Sequence, residues 1–243
     1  MCGYGEFAAA YDLLTFNVPY DEIADYYAEI LCKMTSGKRL LDMGCGTGSL
    51  SVRLAERGFK VIGQDASTEM LSVAAGKSSE VMWICQNMEE TDIGGEVDAV
   101  ISTLDSVNHL DGREAFLNCF RQAAECLPGG GVFVFDVNTV YKHREILGNN
   151  TFIYDVDGVY CVWQNSFDLA DNGVDIELDL FFENEDGTYS RGGESFREIA
   201  FSKDEYCQML EKAGFEVVNI LEYLTYNIPK DDSEKLLISA KKR

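Results

Sequence analysis

Apolar positions along the chain follow first a helical spacing, then short runs, then strict alternation. Phe7, Tyr11 and Leu14 can share one helical face. After Pro19, Ile23, Tyr26, Tyr27, Ile30 and Leu31 share another, so residues 1–36 predict a helical cap. Apolar runs alternating with helical stretches follow. Arg39–Met43 predicts a buried strand, and Ser49–Arg57 a helix with Leu50 and Leu54 inward, closed by Gly58 as a left-handed cap. Phe59–Gly63 predicts a second strand ending at Asp65. Ser67 caps a helix to about Ala75. Val81–Cys85, Val97–Ser102 and Gly131–Asp136 predict three more strands. Before the last of them, Asp111 and Glu114 resemble a capping box for a helix to Leu127.

The rhythm changes at residue 151. Val174-Asp175-Ile176-Glu177-Leu178-Asp179-Leu180 alternates apolar and acidic residues, and Asp157-Gly158, Asn172-Gly173 and Asp186-Gly187 signal hairpin turns. Residues 151–199 therefore predict a four-stranded antiparallel meander. It interrupts an α/β domain formed by residues 37–150 and 200–243. In the second part, Ser202 and Glu205 form a capping box, Gly214 closes that helix, and Phe215–Tyr223 and Lys235–Lys242 predict the last strands. The expected fold class is α/β, a doubly wound, mostly parallel sheet with an inserted antiparallel β meander.

Chemistry enters at Gly44-Cys45-Gly46-Thr47-Gly48, the turn between the first strand and its helix. Glycines let backbone approach a ligand closely, and the helix start offers unpaired N–H groups. Asp65, at the tip of the second strand, is placed to accept from both hydroxyls of a ribose. A nucleoside-containing cofactor is thus expected across the strand tips. The spacing is Gly-x-Gly-x-Gly, not the Gly-x-Gly-x-x-Gly of dinucleotide enzymes. Asp42, two residues before the first glycine, suits a positively charged cofactor tail. Asp65 is expected to have no core partner. Its loss should then cost cofactor affinity but little stability, with Asn milder than Ala.

Composition narrows the partners. The 243 residues carry a formal net charge of −22, which gives no electrostatic footing for nucleic acid. Residues 151–200 contribute twelve acids against two arginines, expected to be mostly a solvated sheet face. No apolar run suggests a membrane span, and no basic and apolar leader opens the chain. Eight cysteines lack a CxxC pair and are expected to be reduced, mostly buried thiols of a cytoplasmic protein. With two histidines in the chain, no metal site is expected.

Leu41–Gly48 resembles the first motif of the class I S-adenosylmethionine-dependent methyltransferases, and Val61–Ser67 with Met70-Leu71 resembles the second. The likeness runs from Phe7 and Tyr11-Asp12 to the C-terminus. It implies a Rossmann-like, seven-stranded sheet whose last strand is antiparallel, and S-adenosylmethionine as cofactor. It implies cofactor contacts from Asp42, Gly44, Cys45, Gly46, Gly48, Asp65, Ala66, Met70 and Met88, and from Tyr11 on a segment that folds over the cofactor. Asn87 stands where the family commonly has Asp; its carbonyl can still accept from adenine. Thr103 and Leu104 leave the fourth strand's tip, where such sheets place ligands. His109 follows them as candidate general base. The meander is expected to be a lid over a small-molecule acceptor, with Tyr154, Tyr160 or Trp163 on its inner face. Open alternatives are a tRNA- or protein-directed methyltransferase, or a non-catalytic cofactor-binding module. A nicotinamide dehydrogenase is disfavoured by the glycine spacing and Asp42, and a DNA methyltransferase by the lack of an Asn/Asp-Pro-Pro-aromatic sequence.

Overall fold

The computed structural model describes the backbone of residues 4–243 and the side chains from Phe7 onward, Ala9 excepted. A seven-stranded sheet contains β1 (Arg39–Met43), β2 (Lys60–Asp65), β3 (Met82–Cys85), β4 (Ala99–Ser102), β5 (Val132–Asn138), β10 (Phe215–Glu222) and β11 (Lys235–Lys242). Their order is β10-β11-β5-β4-β1-β2-β3, and β11 alone runs against the other six. The order reverses between β1 and β4, which opens a crevice at their carboxyl ends.

β5 shows why this sheet is buried on both faces. Phe133, Phe135 and Val137 point to α5 (Gly112–Glu125) and α6 (Lys203–Lys212), where Phe116, Phe120, Tyr206 and Phe215 join one core. Val132 and Val134 point the other way, to α2 (Tyr20–Met34) and α3 (Ser49–Glu56), where Tyr27, Ile23, Leu31 and Leu54 form a second core. A strand covered on both faces loses polar alternation, as seen in the near-continuous apolar run.

β6 (Thr151–Val156), β7 (Val159–Asp168), β8 (Gly173–Glu183) and β9 (Tyr189–Ile199) form the separate antiparallel meander. Val174, Ile176, Leu178 and Leu180 are buried on one face, with Val159, Cys161 and Leu147. Asp157 and Gly158 both take positive φ (45° and 80°), the backbone a two-residue hairpin needs. α1 (Tyr4–Leu14) packs Ala10, Leu13 and Leu14 into this cluster, while α2 belongs to the main sheet's second core. The described residues before β1 are therefore divided between two packing units.

Two local expectations need correction. Ser202 and Glu205 do form a reciprocal capping box, but Asp111 makes no side-chain bond at the start of α5. There Glu114 instead meets Arg121, one of the few basic residues on that helix. Of the seven described cysteines, all free thiols, only Cys119, Cys126 and Cys161 are buried; Cys2 lies outside the described side chains. Cys85 is exposed because it ends β3, the sheet's edge strand.

Candidate active site

The glycine loop is folded by backbone bonds that the sequence dictates locally. Gly44 and Cys45 both donate their N–H to the Gln64 carbonyl at 2.8 and 2.9 Å. Gln64 is buried and donates in turn to Thr91 (2.9 Å), so β2 fixes the start of the loop. Gly44, Gly46 and Gly48 have φ of 75°, 55° and 73°. A Cβ on Gly46 would meet nothing within 4 Å, so this glycine borders open space. A Cβ on Gly48 would lie 2.4 Å from Trp83 and 2.9 Å from Ala74. Gly48 is a packing glycine and does not line the cavity.

Asp65 differs from expectation. Its Oδ2 accepts the Gly46 N–H (2.8 Å) and its Oδ1 accepts the Ser67 N–H (2.9 Å). The carboxylate thus fastens the glycine loop to the end of β2, and its remaining lone pairs face the cavity it lines. An Asn here would turn an NH2 toward one of two N–H donors, so Asn is not a mild replacement.

Asp42 is a second correction. It is 1 % exposed, lies under the loop, and is absent from the cavity wall. Ser51 Oγ donates to its Oδ2, while Oδ1 has no protein partner. Burial pushes its carboxyl up to about 7 against the opposing Ser51 bond.

The tip of β4 carries stored strain. Leu104 and Asp105, neither a glycine, have φ of 54° and 58°. Such residues cost about 1–3 kcal/mol each unless the surroundings hold them. Buried Asp136, on β5, is the holder. Its Oδ2 accepts the Leu104 N–H and its Oδ1 the Asp105 N–H, both at 2.8 Å, and Tyr27 donates to Oδ2 at 2.6 Å. Lys235 donates to Asp105 and lies 3.2 Å from Asp136. Burial opposes the charge on Asp105, but Lys235 and Lys142 hold its carboxyl below the usual carboxylate range. Asp105 and Asp136 likewise hold the Lys235 ammonium above its ordinary value, against burial. Lys235 reaches the ligand end only because β11 is reversed: its first residue pairs with the last of β5, Asn138.

One cavity of about 1040 Å³ joins these parts. Gly44, Cys45, Gly46, Asp65, Ala66, Met70, Asn87, Met88, Thr103 and Leu104 line one half, roofed by Tyr11. Burial, then Tyr20 and Asp105, push the Tyr11 phenol above its ordinary value. Asn87 Oδ1 already accepts the Glu89 N–H (3.0 Å), which leaves one lone pair of that carbonyl for a ligand. Tyr154 and Trp163 line the other half with Phe196, His109, Glu194 and Glu198. Tyr160 does not; it is 37 % exposed on the opposite face of the meander, against Phe181. It is one residue out of phase with Cys161, which lines the cavity, and alternation sends it outward.

Several residues at the site had no role assigned by the sequence reading, and all of them but Asp12 line the cavity. Asp12 accepts from Thr47 Oγ1 at 2.7 Å and pairs with Lys77 at 2.5 Å, which ties α1 to the glycine loop. Its place beside Tyr11 was the available signal. Asp105 sits at an identified strand tip. Glu194, Glu198 and Lys235 had no local signal, since their positions depend on how β9 and β11 are placed.

These residues suit the cofactor expected from the motifs. The open space over Gly46, the acid at the strand tip, and an apolar slot of Met70, Met88 and Leu104 fit a nucleoside.

A model described as a methyltransferase domain matches residues 40–131. The chain is 32% identical to the "Putative methyltransferase YqeM" of Bacillus subtilis, across 98% of this chain and 97% of that one. The crystal structure of an S-adenosylmethionine-dependent methyltransferase from Clostridium acetobutylicum superposes with a TM-score of 0.88 at 28% identity, covering 98% of each chain. CalS10, an amino pentose methyltransferase from Micromonospora echinaspora, shares the fold with a TM-score of 0.77 at 23% identity, covering 98% of this chain and 97% of its own. With its glycine turn, strand-tip acid and sheet order, the chain belongs to the class I S-adenosylmethionine-dependent methyltransferases.

Proposed function

We propose that this methyltransferase acts on a small-molecule acceptor held between the strand tips and the meander. The observation that carries the reading is the single cavity, which has the glycine loop at one end and the meander's inner face at the other. Its volume is large enough for a cofactor plus a compact acceptor.

S-adenosylmethionine supplies an electrophilic methyl group on a positively charged sulfur. The chain's own residues then have three tasks. Asp65 accepts from the ribose hydroxyls while keeping the glycine loop in place. Met70, Met88 and Leu104 cover the adenine, with Asn87 at its edge. Tyr11, on α1, closes the roof and excludes water, so catalysis is mostly placement in a dry site.

The −22 charge favours a small acceptor over a nucleic acid. No helix among the described residues is long and apolar enough to cross a membrane. A cytoplasmic location is part of the same proposal, supported by the free thiols.

The test is release of S-adenosylhomocysteine when the protein meets separated fractions of a cell extract. Turnover is expected with the low-mass fraction. Turnover confined to the tRNA or protein fraction overturns the small-molecule reading.

A further inference from the structure

We propose that Glu198 holds the acceptor through its Oε1, and that buried His143 is the positioning residue that sets this oxygen. The acceptor then presents an O–H or N–H donor to it. This rests on the small-molecule reading above and names the group by which the acceptor is recognised.

Glu198 is the second-to-last residue of β9 and only 4 % exposed, yet it lines the acceptor half of the cavity. A carboxyl taken this far out of water needs partners. Those that the protein supplies both go to one oxygen. Oε2 accepts from Asn138 Nδ2 at 2.8 Å and faces His143 Nε2 at 3.1 Å. Oε1 bonds to none of the described residues and, unlike Glu194 Oε2, is not sealed off.

The chemistry of the partners fixes the direction of each bond. Lys142 Nζ can only donate, and it meets Asn138 Oδ1 at 2.9 Å. The amide of Asn138 therefore turns its NH2 to Glu198. Its backbone N–H donates to Asn108 Oδ1 (2.9 Å), and Asn108 Nδ2 donates to the carbonyl of Ile199, next to Glu198 (2.9 Å). Asn108 and Asn138, both buried, thus fasten the end of β5 to the end of β9.

His143 is wholly buried and outside the cavity wall, so it reaches a ligand only through Glu198. Its Nδ1 faces the Asn172 carbonyl at 2.9 Å; a carbonyl only accepts, so Nδ1 carries a proton. A second proton must then lie between Nε2 and Oε2. Imidazolium with carboxylate provides it, and so does imidazole with carboxylic acid. Both arrangements leave Oε1 with lone pairs and no proton. Oε1 is therefore an acceptor in either state, and what binds there must donate. Sites that bond a substrate O–H or N–H in this way reject an analogue lacking it by up to roughly 10⁴- to 10⁵-fold.

The experiment reads S-adenosylhomocysteine release by the whole protein against a dilution series of the low-mass extract fraction, with S-adenosylmethionine affinity by calorimetry alongside. In Glu198→Gln, Asn138 turns the new carbonyl toward itself, which puts an NH2 donor where Oε1 was. We expect this variant to need roughly tenfold or more extract for half-maximal rate, with S-adenosylmethionine affinity unchanged. EDTA should not alter the wild-type rate. His143→Leu and His143→Gln both lose the bond to Asn172, but only the second keeps a donor for Glu198. The first should shift in the same direction as Glu198→Gln, and the second should stay within about threefold of wild type. If His143→Leu does not fold, Glu198→Gln decides. An unchanged half-maximal extract or a loss of S-adenosylmethionine affinity in Glu198→Gln overturns the proposal. So do equal shifts in the two folded His143 variants, or an activity that needs an added divalent metal. No wild-type turnover with this fraction, the cofactor still binding, overturns the small-molecule reading instead.

Discussion

The two halves of the cavity are built by different means. The cofactor half is mostly backbone and local. Its loop, its anchoring acid and its apolar wall come largely from residues 44–70 and 86–88, and bonds between the glycine loop and the end of β2, within one β-α-β unit, set its shape. The acceptor half is mostly side chains from distant places: Asp105 after β4, His109 in the turn beyond, Glu194 and Glu198 on β9, and Lys235 at the start of a reversed strand. The first half should fail when backbone geometry is disturbed, and the second when charge is changed.

Gly48→Ala and Gly46→Ala give the largest separation. Alanine at 48 meets Trp83 at 2.4 Å and keeps a positive φ, so we expect a loss of about 3 kcal/mol in stability. Alanine at 46 has open space and carries only the backbone cost, about 1 kcal/mol, yet intrudes where the cofactor lies. Denaturant unfolding and calorimetry should show Gly48→Ala unstable, and Gly46→Ala folded but weak in S-adenosylmethionine binding. Equal stabilities would break the distinction between packing and cradle glycines.

Asp65→Ala comes next. Losing the ribose and loop bonds should weaken S-adenosylmethionine by about 2–3 kcal/mol, roughly 30- to 150-fold. Asp65→Asn should come within a few-fold of Ala, because both oxygens already accept N–H groups. A nearly normal Asp65→Asn in titration calorimetry would show that the loop bonds are dispensable.

Asp42 tests the ground under the loop. Its folded pKa, about 7, lies above the ordinary carboxylate value near 4, so the folded chain keeps a proton that the unfolded chain releases. Stability should therefore fall as pH rises from about 4 to about 7. Asp42→Asn removes this loss, partly offset by its own unpaired amide. Its advantage should be about 2 kcal/mol at pH 8 and turn into a deficit of similar size near pH 4, where only the amide's cost remains. Melting curves across that range check it, and a parallel pair of curves would refute it.

The smallest expected effect is on cofactor affinity in Trp163→Ala. Trp163 is half-buried in the meander and donates to Asn165 at 2.7 Å, away from the glycine loop. S-adenosylmethionine binding should stay within about threefold of wild type while acceptor turnover falls. A large loss of cofactor binding would mean that the halves are not separable.

The same contrast explains what the sequence could show. Gly44 to Gly48 and Asp65 were legible because a turn, a helix start and a strand end lie at fixed spacing. The meander was legible from alternation and three turn pairs. Tyr160 was misplaced by one step of phase, which chain composition does not reveal. Asp42 was taken for a contact because its spacing is right, but its side chain is spent beneath the loop on Ser51. Glu194, Glu198 and Lys235 were invisible because their neighbours are set by the docking of β9 and by the reversal of β11.

Trp83 limits how this sequence can drift. Its ring fills the space that a Cβ would need at Gly48 and also at Gly63, 2.4 and 2.5 Å away. Two glycines from different segments thus share one obstacle, and their tolerance to change is not independent. A smaller residue at 83 would leave Gly63, whose φ is ordinary, only the Cys45 Sγ at 3.1 Å to accommodate, but Gly48 would still be held by its positive φ. The order of substitutions is therefore constrained: the indole must go before Gly63 can change, and no change at 83 alone frees Gly48.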